Sequence, residues 1–177
     1  MIRIAIVDDN TFLQKTIQDK LSFFADVEVR MKAVHGQDII EKLEKNHNLD
    51  LILMDIEMPK MNGIEATAII KSKFPQIKII MITVFDNAAN VFDAIKVGAD
   101  GYLLKETKAE KIYEAIRETL AGGAVMSPSI ALKTLQLLKN PRVFDSSEAT
   151  EMIELTTREI EDLEQLSKGL KNKEIAE

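Results

Sequence analysis

Three aspartates, a threonine and a lysine stand at the ends of short apolar runs in this chain. Asp8 and Asp9 follow IRIAIV, Asp55 follows LILM, Thr83 closes IKIIMIT, and Lys105 follows GYLL. If those runs are strands of one parallel sheet, all five residues meet at one edge. Three carboxylates gathered there repel one another unless a cation joins them, and an oxygen-only ligand set without His or Cys favours magnesium. Magnesium keeps several waters and is usually held by one or two carboxylates together with phosphate oxygens, so a phosphoryl group is the matching substrate. Within such a site a carboxylate can act as nucleophile and form an acyl phosphate, while the metal offsets charge on the transferring oxygens. Asp55 is assigned that role. Lys105 brings a positive charge to one phosphoryl oxygen, and the Thr83 hydroxyl can donate a hydrogen bond to another. Taken singly, the Asp pair reads as turn or cap chemistry, and Thr83 and Lys105 read as a strand residue and a surface amine. The conjunction at four strand ends carries the assignment.

The elements that would position these residues are legible as alternating patterns. IRIAIV is followed by Leu13, Ile17, Leu21 and Phe24 at helical spacing, and VEVRMKAV by Ile39 and Leu43. The alternation continues with LDLILM before Ile64 to Phe74, IKIIMIT before Val91 to Ile95, and GYLL before Ile112 to Leu120. Five strand-helix units predict a parallel sheet covered on both faces. The second strand differs, because Glu28, Arg30 and Lys32 alternate with apolar residues and suit a sheet edge. The expected fold is therefore α/β, a flavodoxin-like doubly wound (βα)5 sheet of order 2-1-3-4-5. Ligands of such sheets bind at the switch point between strands 1 and 3, beyond the strand carboxyl ends.

Composition narrows the function classes. The 177 residues include no cysteine, so disulfides and thiolate metal sites are excluded, and the opening MIRIAIVDDN is too short an apolar run for a signal peptide or a spanning helix. A cytoplasmic protein without a membrane partner is expected. The net charge of −6 offers no general attraction to nucleic acid, so any DNA contact must be local. Met54, Met58, Met61 and Met81 read as packing residues rather than ligands, and His35 and His47 as surface residues without a partner motif.

The pieces IVDDN, LILMDIEMPKMNGIEA, IIMITVFD and GADGYLLK resemble the receiver domains of two-component response regulators over residues 1 to about 120. The resemblance implies that Asp55 is the phosphoacceptor and that Asp9 and Asp55 bind Mg2+ directly. It further implies that Asp8 binds through water and that the Glu57 backbone carbonyl completes the protein ligands. Thr83 and Tyr102 match the family's paired switch residues, and Pro59 and Gly63 its loop after the acceptor. GGAVMSPSIA and LTTREIEDLEQLSKGLKNKEIAE resemble the linker helix and the opening of the helix-turn-helix in the LuxR/NarL (FixJ) branch.

The expected organisation is a receiver at residues 1–121, a linker with a short helix at 122–150, and the incomplete first part of a helix-turn-helix at 151–177. In the last segment Thr156 and Glu159 have capping-box spacing before a helix over Thr157 to Lys168, and Asn172 caps a second helix. Because the recognition helix is not among these residues, specific DNA binding is expected only of a full-length form. A sensor histidine kinase is the expected phosphoryl donor and a phosphorylation-dependent homodimer a further expected partner. The chain is read as a phosphoacceptor rather than an enzyme. Two alternatives are a Mg2+-dependent aspartyl-phosphate hydrolase and a stand-alone receiver acting by protein contacts. Against the hydrolase, the residue two beyond Asp55 is Glu57, not a second aspartate.

Overall fold

In a computed structural model, residues 1–84 and 88–139 are described. Six parallel strands lie in the order β2-β1-β3-β4-β5-β6: β1 (Ile2–Val7), β2 (Val27–Ala33), β3 (Leu51–Met54), β4 (Lys78–Thr83), β5 (Gly101–Leu104) and β6 (Val125–Met126). The helices are α1 (Thr11–Leu21), α2 (Gly36–Lys45), α3 (Gly63–Lys73), α4 (Ala88–Lys96), α5 (Ala109–Leu120) and α6 (Pro128–Lys139). Successive side chains of a strand point to opposite faces, and here both faces are buried. Ala5, Val7, Ile52, Met54, Ile79 and Met81 join one core with Ile39 and Leu43 of α2, Ile70 of α3, and Val91 and Ala94 of α4. Their neighbours Ile4, Ile6, Leu51, Leu53, Ile80 and Ile82 join a second core with Ile17 and Leu21 of α1 and Ile112 and Ile116 of α5. Burial on both sides explains why β1, β3 and β4 read as continuous apolar runs.

The order of the first five strands is the one expected, with the alternating β2 at the edge. Among the described residues the sheet has one strand more than the five expected. Met126 pairs with Tyr102, Ile130 of α6 is fully buried in the first core, and the Ser127 amide donates to the Tyr102 carbonyl at 3.2 Å. Residues read as the start of a linker thus extend the sheet. A two-residue strand carries no detectable period, which is why sequence reading passed over it. The helix expected over residues 157–168 and the cap at Asn172 lie outside the described residues.

Helix starts are capped by side chains close to the site. Asn10 Oδ1 accepts from the Phe12 and Leu13 amides at the start of α1, and Asn62 and Glu65 form a reciprocal capping box at the start of α3. At the start of α2, His35 Nδ1 accepts from the Asp38 amide at 3.0 Å. The surface reading of His35 is corrected accordingly: it is a half-buried cap, whereas His47 is exposed and stacks on Phe74. Met54, Met58 and Met81 are buried core residues and Met61 packs against them, as their reading as fillers required.

Candidate functional site

Strands β1 and β3 are hydrogen-bonded neighbours from Ile4 opposite Leu51 to Val7 opposite Met54. The residues that follow, Asp8 and Asp55, therefore emerge side by side, and the Asp55 amide still donates to the Val7 carbonyl at 2.8 Å. One carboxylate oxygen from each of Asp8, Asp9 and Asp55 lies within 4.8 Å of the others. Asp8 and Asp55 are buried and Asp9 is exposed, so the cluster has an inner floor and an open side.

Lys105 closes the floor. Its ammonium donates to Asp55 Oδ2 at 2.9 Å and stands 2.6 Å from Asp8 Oδ2, near enough for an ion pair although not aligned as a hydrogen bond. Its backbone amide donates to the Thr83 carbonyl at 2.8 Å, which extends the β4–β5 ladder by one residue and fixes where the lysine leaves the sheet. The Lys20 ammonium, from α1, donates to the Thr107 carbonyl at 2.9 Å and the Lys105 carbonyl at 3.3 Å. One helix therefore holds the loop that carries the site's cation.

Electrostatics follow from this burial. Desolvation pushes the Asp55 carboxyl above its ordinary value; the Lys105 hydrogen bond and charge oppose that, and the Asp8 charge adds to it. Burial works against the charge on Lys105, but its two carboxylate partners prevail and hold the ammonium above the ordinary lysine value. Asp55 is thus a carboxylate that gains from added positive charge. Asp8 Oδ2 is buried beside the Lys105 ammonium, and as a carboxylate oxygen it keeps a further lone pair that a cation or its water would meet. The donor set, all oxygen and open on one side, fits Mg2+.

The loop after β3 is shaped around the same residue. The Gly63 amide donates to the Ile56 carbonyl at 2.8 Å, and the Ile56 amide to Asp55 Oδ1 at 2.8 Å. Lys60, two residues before the Asn62 cap, has a left-handed backbone with φ of 66°. Thr83 ends β4 fully buried, and Tyr102 of β5 is 1% exposed. Met81 pairs with Tyr102, so Thr83 and Tyr102 lie on the same sheet face, offset by two residues. The Glu57 side chain is exposed and lines a recess of about 420 Å3 with Met58, Asn62, Ile64 and Asn90. The structure therefore draws Asp8, Asp9, Asp55 and Lys105 into one cluster, with Thr83 at the same sheet edge and Tyr102 deeper in the core.

Sequence reasoning did not single out Gln14 or Lys20. Gln14 had a signal, since it lies three and seven residues before Ile17 and Leu21 on the buried stripe of α1. Its Nε2 donates to the Asp8 carbonyl at 2.6 Å and the Ala33 carbonyl at 2.8 Å. The contacts of Lys20 span more than 80 residues of sequence and leave no local trace.

Residues 4–117 match the response regulator receiver domain. The chain belongs to the response regulator family. This receiver is 37% identical over 181 residues to the transcriptional regulatory protein LnrK of Bacillus subtilis (strain 168), covering 100% of this chain and 82% of LnrK. It is 40% identical over 177 residues to the response regulator protein VraR of Staphylococcus epidermidis (strain ATCC 12228 / FDA PCI 1200), covering 99% and 80%. Among solved structures, a LuxR-family two-component response regulator from Aurantimonas sp. SI85-9A1 superposes with a TM-score of 0.72 at 26% identity, covering 77% of this chain and 97% of that one. As a receiver with transcriptional regulators among its relatives, the chain serves two-component control of transcription. Among the described residues no helix is long and apolar enough to cross a membrane.

Proposed function

We propose that Asp55 accepts a phosphoryl group from the phosphohistidine of a sensor kinase. An Asp55 carboxylate oxygen attacks phosphorus, the phosphorus–nitrogen bond of the donor breaks, and the imidazole leaves with a proton from solvent. The observation that carries the reading is the buried Asp55 carboxylate, clustered with Asp8 and Asp9 and paired with the Lys105 ammonium that also meets Asp8. Asp9 and Asp55 would hold Mg2+ directly, Asp8 through water, and the Glu57 backbone carbonyl would complete the protein ligands. Bound there, Mg2+ would offset charge on the phosphoryl oxygens. Lys105 then turns from Asp8 toward a phosphoryl oxygen, and the Thr83 hydroxyl donates to another. Thr83 and Tyr102 are the switch residues, moving together on the sheet face they share.

The reading extends to the whole chain. Residues 1–121 act as phosphoacceptor, 122–150 connect while their β6 and α6 add to the receiver's sheet and core, and 151–177 begin a LuxR-type helix-turn-helix through which a full-length form binds DNA. The protein works in the cytoplasm, dimerises when phosphorylated, and is not a turnover enzyme. Incubation with acetyl phosphate, with and without Mg2+, tests the reaction. A receiver gains one phosphoryl group per chain and only with the divalent cation. Steady release of phosphate from an external phosphomonoester, without a stoichiometric labelled chain, would favour an aspartyl-phosphate hydrolase.

A further inference from the structure

The last β1–β2 pair is Val7 opposite Ala33, and beyond it the Asp8 amide donates to the Ala33 carbonyl at 3.1 Å. The Asp8 carbonyl, buried with its residue, has no strand opposite to donate to it. The Gln14 amide takes that place. Its nitrogen bridges the Asp8 carbonyl at 2.6 Å and the Ala33 carbonyl at 2.8 Å, and Gln14 is itself only 4% exposed. Both donors of the amide are thus spent on the main chain at the point where the acid pair begins.

We propose that Gln14 is a positioning residue for the cation site, acting through Asp8. With its amide and its carbonyl both tied, the peptide groups on either side of the Asp8 Cα are fixed, and together they aim the carboxylate. Asp8 Oδ1 accepts from the Asn10 amide at 2.9 Å, and Oδ2 is left to face Lys105 and the shared site. A methionine at position 14 would fill the same space and donate nothing. The Asp8 carbonyl would then be buried without a partner, and the peptide would rotate to find one. Partners that orient metal-binding groups commonly change metal affinity by about 10- to 100-fold, and the lower end suits a residue acting through the main chain of a ligand that holds its metal through water.

The proposal rests on the acid cluster being a cation site, and one titration separates the two. Because the chain has no tryptophan, Mg2+ binding is measured by calorimetry on the full chain, with circular dichroism to verify folding. The unaltered chain should bind with one saturable isotherm. Gln14→Met should raise the Kd about ten-fold, whereas Ile17→Val, a core change on the same helix, should leave it unchanged. Gln14→Asn keeps the amide but shortens its reach, and should weaken binding in the same direction. In an Asp8→Asn background the Gln14→Met effect should shrink to less than about two-fold, because coupled residues are not additive. Equal affinity for the unaltered and Gln14→Met chains would overturn the proposal. So would the same loss in both backgrounds, which would mark Gln14 as a packing residue. Absence of saturable binding to the unaltered chain would remove the cation reading itself, and the proposal with it.

Discussion

A Cβ placed on Gly63 would stand 1.9 Å from the carbonyl oxygen of Asp55. No side-chain rotamer relieves such a contact, because both partners are backbone. Gly63→Ala must therefore push α3 or the Asp55 loop aside. Overpacking of this kind costs about 1–3 kcal/mol, and here it displaces the proposed phosphoacceptor. A lowered midpoint of urea unfolding together with slower labelling by acetyl phosphate is expected. Unchanged stability would contradict the close approach.

Lys105→Met should show the site's charge balance directly. Removing the ammonium leaves Asp8 and Asp55 facing each other without a counter-charge, which costs about 1–3 kcal/mol for groups this buried. Added Mg2+ would then substitute for the lost lysine. The rise in Tm on adding Mg2+ should be larger for Lys105→Met than for the unaltered chain; a smaller rise would mean that lysine and cation do not share one set of carboxylates.

Asp100 supplies a pH prediction remote from that site. Burial alone would raise its carboxyl, but hydrogen bonds from Lys71, Lys78 and the Ile79 amide prevail and hold it below the ordinary aspartate value. A carboxylate lowered on folding contributes stability that is fully present above the unfolded value, about pH 4, and is lost as pH falls through the folded value. Asp100→Asn should cost about 1–3 kcal/mol at neutral pH and flatten the acid limb of the stability profile. Parallel profiles for the two chains would refute this.

Ile130→Ala tests whether α6 belongs to the receiver core. Ile130 is fully buried with Val91, Ala94 and Tyr102, and truncating a buried isoleucine costs about 2–5 kcal/mol. A loss below about 0.5 kcal/mol, as for surface changes, would return α6 to the role of a free linker.

Much of this was legible because the fold writes itself into apolar patterning. Strands buried on both faces produce the runs LILM and KIIMIT, and an edge strand the alternation of Glu28, Arg30 and Lys32. Parallel order then sends Asp8, Asp9, Asp55, Thr83 and Lys105 to one edge, so the cluster is legible in the sequence. What escaped reading depends on contacts remote in sequence or on rare local choices. Strand β6 is too short to show a period, His35 caps a helix where Ser, Thr, Asp or Asn is usual, and Lys20 meets its carbonyls only once α1 has packed beside α5.

Intact-mass measurement after acetyl phosphate treatment decides whether Asp55 is the acceptor. The unaltered chain should gain one phosphoryl group in Mg2+ and none in excess chelator, and the gain should be lost on mild alkaline treatment, as for an acyl phosphate. Folded Asp55→Asn should gain none under any of these conditions. Stoichiometric, Mg2+-dependent labelling of folded Asp55→Asn would exclude Asp55 as the acceptor.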